Sequence, residues 1–373
     1  MILTGKCDQA NISMNNPETQ LDPQPSVASV NSVAKKARRL VAIGGGRGAC
    51  QVLLGAQSYF PERTAVVAVT DTGRSTGIVR TLANMPAPGD LRNTLAALAR
   101  DPDGLMARLL EHRFHNSAFP TLDGMAVGNL LLAALTEMTG DLAHAVEVVG
   151  TLVQSVAQVL PVSVVNTNLC AELTDGTTVT TELQVRGLDK PPIRRLFLAD
   201  PDAPAYPPVL EAIAQADMIT LGPGSLFTSV LAALLFKGVI TALRETKAMV
   251  VFVCNTTTQP GQTDTYRTID HVRRVVELLG PDVLDAALIN RSATRDPQVL
   301  AEYAAEGIHL LQPDDEEIAR IAALGVRPYA RDYAEEREGK RQLWNKQDTI
   351  RHDPEVLGQA LWKLALDRAD SAE

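Results

Sequence analysis

A short apolar run, Leu40 to Ile43, leads straight into Gly44-Gly45-Gly46-Arg47-Gly48-Ala49-Cys50. An apolar helical pattern then opens with Val52, Leu53 and Leu54. This order predicts a strand, a tight turn and a helix. Glycines let the chain turn sharply and let a ligand approach the backbone. The helix behind the turn offers free N–H groups and the positive end of its dipole, which suits a phosphate. Gly44, Gly46 and Ala49 fit the G-x-G-x-x-G/A spacing of dinucleotide sites, and Asp71 follows a second strand. The same residues would also serve a ligand-free turn, so the choice rests on the rest of the chain. No Gly-Lys-Ser/Thr follows, which excludes a P-loop.

At 373 residues with 45% hydrophobic content, the chain is long enough for one large α/β domain with a substantial core. A net charge of −9 argues against general binding to nucleic acid or to a membrane surface, while leaving room for a local basic pocket. Cys7, Cys50, Cys170 and Cys254 form no C-x-x-C pair and read as reduced thiols of a cytoplasmic protein. No signal-peptide pattern and no apolar stretch long enough for a membrane span is present.

Residues 1–36 are rich in Asn, Gln, Ser, Pro and Asp without apolar periodicity, which predicts a disordered tail. A single domain is expected over 37–367, with 368–373 as a short C-terminal tail. The loop Asp71-Thr72-Gly73-Arg74-Ser75-Thr76-Gly77 follows the second strand and should face the same crevice as the glycine turn. Asp71 suits a ribose hydroxyl or a metal, and Arg74 suits a phosphate. Ser75 or Thr76 would also cap the next helix. Asp90 is placed to cap a helix from Leu91 to Arg100, but Arg92 and Asn93 then fall in a first turn where the dipole disfavours a cation. An anion or a partner carboxylate nearby would account for that. His112 and His115 have metal-like spacing but lack a third ligand.

Gly128 and Asn129 open a nearly all-apolar segment, read as a buried helix pointing at the crevice. A second helix is expected from Leu142 to Val159. From 162 to 198 the style turns to β, with Asp175-Gly176 as a hairpin turn; this insertion suits an antiparallel subsheet or a homodimer contact. Met218 to Leu221, then Gly222-Pro223-Gly224-Ser225, then an apolar helix containing Ser229, repeat the strand–glycine-turn–helix unit. Met249 to Cys254 is a further strand ending at Asn255, and Val283 to Asn290 another. Helices are expected near 271–279, 302–307, 314–324 and 353–367, and 335–340 reads as a solvated charge run. The fold class is therefore α/β, a doubly wound, mainly parallel, Rossmann-like sheet with a small antiparallel β insertion.

Taken together, these loops resemble the CofD-like superfamily, most closely its YvcK branch of gluconeogenesis factors. The resemblance is carried by Gly44-Gly45-Gly46-Arg47-Gly48, Pro88-Gly89-Asp90-Leu91-Arg92-Asn93, Gly128-Asn129-Leu130-Leu131-Leu132 and Gly222-Pro223-Gly224-Ser225-Leu226-Phe227-Thr228-Ser229. Cys254-Asn255 and Arg351-His352-Asp353 extend it, so that it spans about residues 40–365. It implies a nucleotide-type ligand. YvcK-like members are associated with UDP-sugars, cell shape and carbon metabolism. The CofD branch, related to 2-phospho-L-lactate transferase, moves a phospholactyl-type group from a guanylyl-activated donor to a deazaflavin alcohol, with magnesium.

Three departures stand out. Arg47 replaces a small residue, Thr72 and Arg74 replace Asp and Gly of the second loop, and Gly124-Met125-Ala126 replaces Gly-His-Ser. One potential metal ligand is lost and two cations are gained, which favours anion binding over Mg²⁺-dependent transfer. The expected nucleotide-binding set is Gly44, Gly45, Gly46, Arg47, Gly48, Asp71, Arg74, Ser75, Asp90, Arg92, Asn93, Gly128, Asn129, Gly222, Gly224, Ser225, Ser229 and Asn255. No catalytic residue is assigned, Mg²⁺ is the one cofactor the resemblance admits, and the partner is a nucleotide or nucleotide sugar. A regulatory binding protein is preferred to a CofD-type transferase, and a nicotinamide oxidoreductase comes last because no hydride-transfer site is legible.

Overall fold

β1 (Arg39–Gly44) is exposed only at its first residue and is paired on both sides. The computed structural model describes residues 39–115, 118, 120–292, 297–336 and 350–370. The N-terminal segment 1–36, the last residues 371–373 and most of the charge run at 335–340 lie outside them. In chain order the other strands are β2 (Glu62–Val67), β3 (Gln158–Pro161), β4 (Leu169–Leu173), β5 (Thr178–Val179), β6 (Ile193–Leu198), β7 (Met218–Leu221), β8 (Met249–Val253), β9 (Ala286–Asn290) and β10 (Arg327–Arg331).

Seven of them form a parallel sheet in the order β10-β9-β8-β7-β1-β2-β3. β7, β8 and β9 are buried at every position, which is why they read as largely apolar runs, broken only by Thr220 and Asn290. The chain winds outward from β1 through β2 to β3, then returns to β7 and winds the other way. The reversal between β1 and β7 is the switch point at which an open α/β sheet leaves a crevice beyond its strand ends. β4, β5 and β6 make the separate antiparallel sheet expected of the insertion. Its turn is at Asp175, whose Oδ1 accepts from the Thr177 backbone N–H at 2.9 Å.

The helices that build the site are α1 (Gly46–Gly55), α2 (Arg74–Ala83), α3 (Gly89–Ala97), α4 (Leu105–Glu111), α5 (Val127–Thr139), α6 (Leu142–Leu152), α7 (Glu182–Val185), α8 (Thr268–Leu279) and α9 (Pro354–Asp370). Among the described residues no helix is long and apolar enough to cross a membrane.

Four expectations need correction. α6 stops at Leu152 rather than Val159, because Gln154 takes a left-handed φ of 51° and frees Gln158–Pro161 to pair with β2. β10 was not anticipated, since an edge strand with Pro328 and arginines at both ends carries no apolar signal. α5 buries only the face containing Gly128, Asn129, Leu132 and Ala133, while Met138 is 80% exposed, so its apolar composition overstates its burial. α9 runs on to Asp370, through the start of the expected tail.

α1 is held in place from the far end of the chain. A Cβ on Gly358 would lie 2.0 Å from the Gly55 carbonyl oxygen, so α9 crosses α1 at backbone contact. Trp362 stacks on Tyr59 and meets Phe60 edge-on. His352 Nε2 lies 3.0 Å from the carbonyl oxygen of Cys254 at the end of β8, and Gln51 of α1 donates to the His352 carbonyl. Gly358→Ala should cost about 1–3 kcal/mol of stability through overpacking, read as a lower midpoint in denaturant unfolding.

His352 and His271 are both fully enclosed, and burial pushes each imidazole down to about 4 from 6.5. A depressed folded value means that their neutral forms contribute stability above the unfolded value and lose it as pH falls through the folded one. Thermal unfolding should therefore show stability dropping as pH falls from 6.5 toward 4. His352→Gln should reduce that slope relative to the parent protein.

Candidate functional site

The β1–α1 turn forms the floor of the crevice. Gly45 is the extended N-cap of α1 and supplies no side-chain cap, while Gly46 takes a φ of 52° that a side chain would resist. A Cβ on Gly48 would lie 2.1 Å from the Pro223 carbonyl oxygen. The two glycine turns thus touch through backbone alone, and the expectation of one shared crevice holds. Asn255, beyond β8, joins them by donating from Nδ2 to the Gly224 carbonyl at 2.7 Å.

Ser225 is the expected N-cap, accepting from the Thr228 N–H, but the helix it caps, Leu226–Leu231, is a π-helix. Such turns recur at functional sites. Ser225 Oγ also donates to Gln262 Oε1 at 3.0 Å, bringing in the 255–264 loop. Ser229 lies against Gly45, its Oγ 2.7 Å from where a Cβ would stand.

Asp90 does not cap its helix. α3 starts at Gly89 with Pro88 as the cap, so Asp90 sits inside the first turn. Its carboxylate lies against the glycine turn, 2.5 Å from a Cβ position on Gly45 and 2.9 Å from one on Gly46. Asp71 accepts from the Gly73 N–H at 2.8 Å and from the Thr76 hydroxyl at 3.1 Å, which shapes the loop into α2. The expected caps Ser75 and Thr76 therefore do other things: Ser75 Oγ accepts from Ala126 N and Asn129 Nδ2, both at 3.1 Å, and Gly73 is the cap. The Arg74 side chain lies outside what the structure describes, and Asn93 is half-buried on α3.

The out-of-place cation of α3 is explained by a carboxylate. Arg92 is 3% exposed and pairs with Glu111 of α4 at 2.9 Å; Arg47 takes the other Glu111 oxygen, also at 2.9 Å. Asn129 Oδ1 accepts from Arg92 Nε. Gly128 is glycine because a Cβ there would be 2.6 Å from the Arg92 side chain. Arg92, Gly128 and Asn129 thus form a buried network behind the floor. Burial lowers the Arg92 pKa and the Glu111 charge opposes the shift. Nothing in the sequence marked Glu111, because its importance arises only when α3 and α4 pack.

The insertion roofs this region. The Leu183 N–H donates to Thr72 Oγ1 at 3.0 Å, and Lys190 Nζ donates to the Gly261 carbonyl at 2.6 Å, so residues 183–190 bridge two of the loops. Glu182 is the second residue that the sequence left unmarked. It is 4% exposed, its Oε2 has no hydrogen-bond partner among the described residues, and Arg186 lies 3.6 Å from Oε1. Burial, and then the charges of Asp71 and Asp90, push its carboxyl up to about 8, against the pull of Arg186.

Mg²⁺ sites usually combine one or two carboxylates with substrate phosphates. Asp90 lies at the glycine turn, and Asp71 gives both oxygens to its own loop. Among the described residues no group of three His, Cys, Asp or Glu is arranged to hold a metal, and His112 instead meets Phe114 edge-on.

The raised Glu182 value has a definite sign. Its protonated form contributes stability that is complete below the unfolded value of 4.5 and lost as pH rises through about 8. Glu182→Gln should therefore flatten the decline in melting temperature across that window. A parallel decline in both proteins would show that Glu182 titrates normally.

A family model described as 2-phospho-L-lactate transferase CofD matches residues 40–334. A putative gluconeogenesis factor of Thermotoga maritima is 38% identical over 88% of this chain and 99% of its own length. A gluconeogenesis factor of Bacillus subtilis is 34% identical over 87% of this chain and 98% of its own. The crystal structure of a Bacillus halodurans protein superposes with a TM-score of 0.79 at 34% identity, covering 87% of this chain and 99% of that one. The parallel sheet, the paired glycine turns and these matches agree: the chain belongs to the CofD family, on its gluconeogenesis-factor branch.

Proposed function

We propose that this protein binds a nucleotide sugar of the UDP-sugar kind in the β1/β7 crevice and works as a regulator linked to carbon metabolism and cell shape. The observation that carries the reading is the N-terminus of α1, placed at the switch point with a glycine N-cap that makes no side-chain cap hydrogen bond. The backbone N–H groups and the dipole of a helix end at such a place suit a pyrophosphate. Arg47, half exposed and one residue into α1, adds positive charge beside it. That the relatives are named gluconeogenesis factors supports the link to carbon metabolism. The transferase alternative draws on the family model's description and calls for a guanylyl donor.

Thermal-shift and calorimetric titration separate the two. UDP-N-acetylglucosamine at one hundred times its dissociation constant should stabilise the protein by about 2.7 kcal/mol. Gly45→Ala puts a methyl between Asp90 and Ser229 and should weaken that binding by about tenfold or more, measured at a temperature where the ligand-free variant is folded. Stabilisation by GDP but not by the UDP-sugar would favour the transferase instead.

A further inference from the structure

A cleft of about 700 Å³ opens beside the crevice, lined by Thr72, Arg80, Asn84, Asn168, Thr181 and Asp200 among others. It stands between α2, the loop that leaves β3 and the end of β6, at the same edge of the sheet as the glycine turns but over β2 and β3. Its volume falls within the usual range for small-molecule sites.

Arg80 makes this cleft unusual. Its side chain is enclosed, with the residue 7% exposed. Nε and Nη2 donate to Asn166 Oδ1 at 3.2 and 2.7 Å, and Nη2 also reaches the Thr167 carbonyl and Asn168 Oδ1. Nη1 donates to the Asp71 carbonyl at 3.3 Å. All these acceptors are neutral, and none of the described residues forms an ion pair with Arg80. A guanidinium carries five N–H groups, and the second one on Nη1 is not used by any of these bonds. A buried charge without an opposite charge in contact is costly. If its task were only to tie the 166–168 loop to α2, a neutral amide would avoid that cost.

The surroundings limit what could answer this charge. Asp200 lines the same cleft, and the carboxyls of Asp71 and Glu182 are near enough to act on Arg80 electrostatically. A multiply charged phosphate would meet repulsion from Asp200 and Asp71, whereas a single negative charge is matched by the one guanidinium. Apart from Gly77 and Ala199 the rest of the lining is amide and hydroxyl, with no aromatic face among the described residues for a base or an apolar ring. Asn, Thr and Asp side chains of this kind pair with hydroxyl groups.

We propose that this cleft is a second binding site, for a small monocarboxylate bearing hydroxyls, of the hydroxy-acid or sugar-acid class. The carboxylate pairs with Arg80, and the hydroxyls bond to Asn84, Asn168 and Asp200. The inference is independent of the nucleotide reading, because it uses a different cleft and a different cation.

The test is calorimetric titration of the full chain with D-gluconate and D-glycerate, with glucitol and inorganic phosphate for comparison. At least one of the acids should bind saturably, and glucitol and phosphate should bind at least about tenfold more weakly. Asn84→Asp adds a like charge to the cleft. It keeps the oxygen that accepts from Asn166 Nδ2 and suits the left-handed φ of 45°, so the fold is retained where Arg80→Gln could disturb it. Asn84→Asp should weaken the acid by about tenfold, while Gly45→Ala leaves it unchanged. Failure of both acids to bind, equal binding of glucitol, or equal binding by Asn84→Asp would each overturn the proposal.

Discussion

The backbone contact between Gly48 and Pro223 is the constraint on which the site depends. Two strand-to-helix turns at a switch point would ordinarily be held apart by their side chains. Here the absence of a Cβ lets them close to atomic contact, which sets the two turns side by side where β1 pairs with β7. Everything else supports that arrangement. Asn255 holds the Gly224 carbonyl, Ser225 ties in the next loop, and Asp90 and Ser229 lie directly against Gly45.

Behind the floor, a chain of polar side chains runs from Ser75 through Asn129, Arg92 and Glu111 to Arg47. It links α2, α5, α3, α4 and α1 in turn. Such a network is costly if any member is lost, since each polar group depends on the next for its partner. It therefore sets the positions of the loops more strictly than apolar packing would, and places one end, the half-exposed Arg47, beside the N-terminus of α1.

Much of the sheet was legible in the sequence because buried parallel strands are apolar runs, and Met218 to Leu221 and Met249 to Val253 are unambiguous in that sense. The glycine turns were legible because their spacing follows from a steric requirement that only glycine meets. β10 and β3 were not, one being a polar edge and the other a short stretch that continues a helical pattern. Within the site, Gly44 to Gly48, Gly222 to Ser225 and Asn255 could be placed from their positions after strands. Glu111 and Glu182 could not, because their surroundings come from elements distant in the chain: Glu111 meets Arg92 and Arg47 across helix contacts, and Glu182 is enclosed only when the insertion settles on the Thr72 loop. Arg92 was noticed as an anomaly, and the carboxylate that resolves it lies nineteen positions further on, at Glu111.

The anchoring of α1 by α9 bears on the order in which the molecule can assemble during synthesis. Gln51 bonds to a residue 301 positions later, and Gly55 waits for Gly358. The ribosome delivers the glycine turn at roughly 5–20 residues per second, and its supporting contact follows 301 positions later. For most of translation, the Tyr59 and Phe60 face that Trp362 will cover stands open. A nascent chain of this kind stays exposed on one side until its final turns emerge. Truncation near the C-terminus would then be felt first at the opposite end of the sequence, in the turn that makes the crevice.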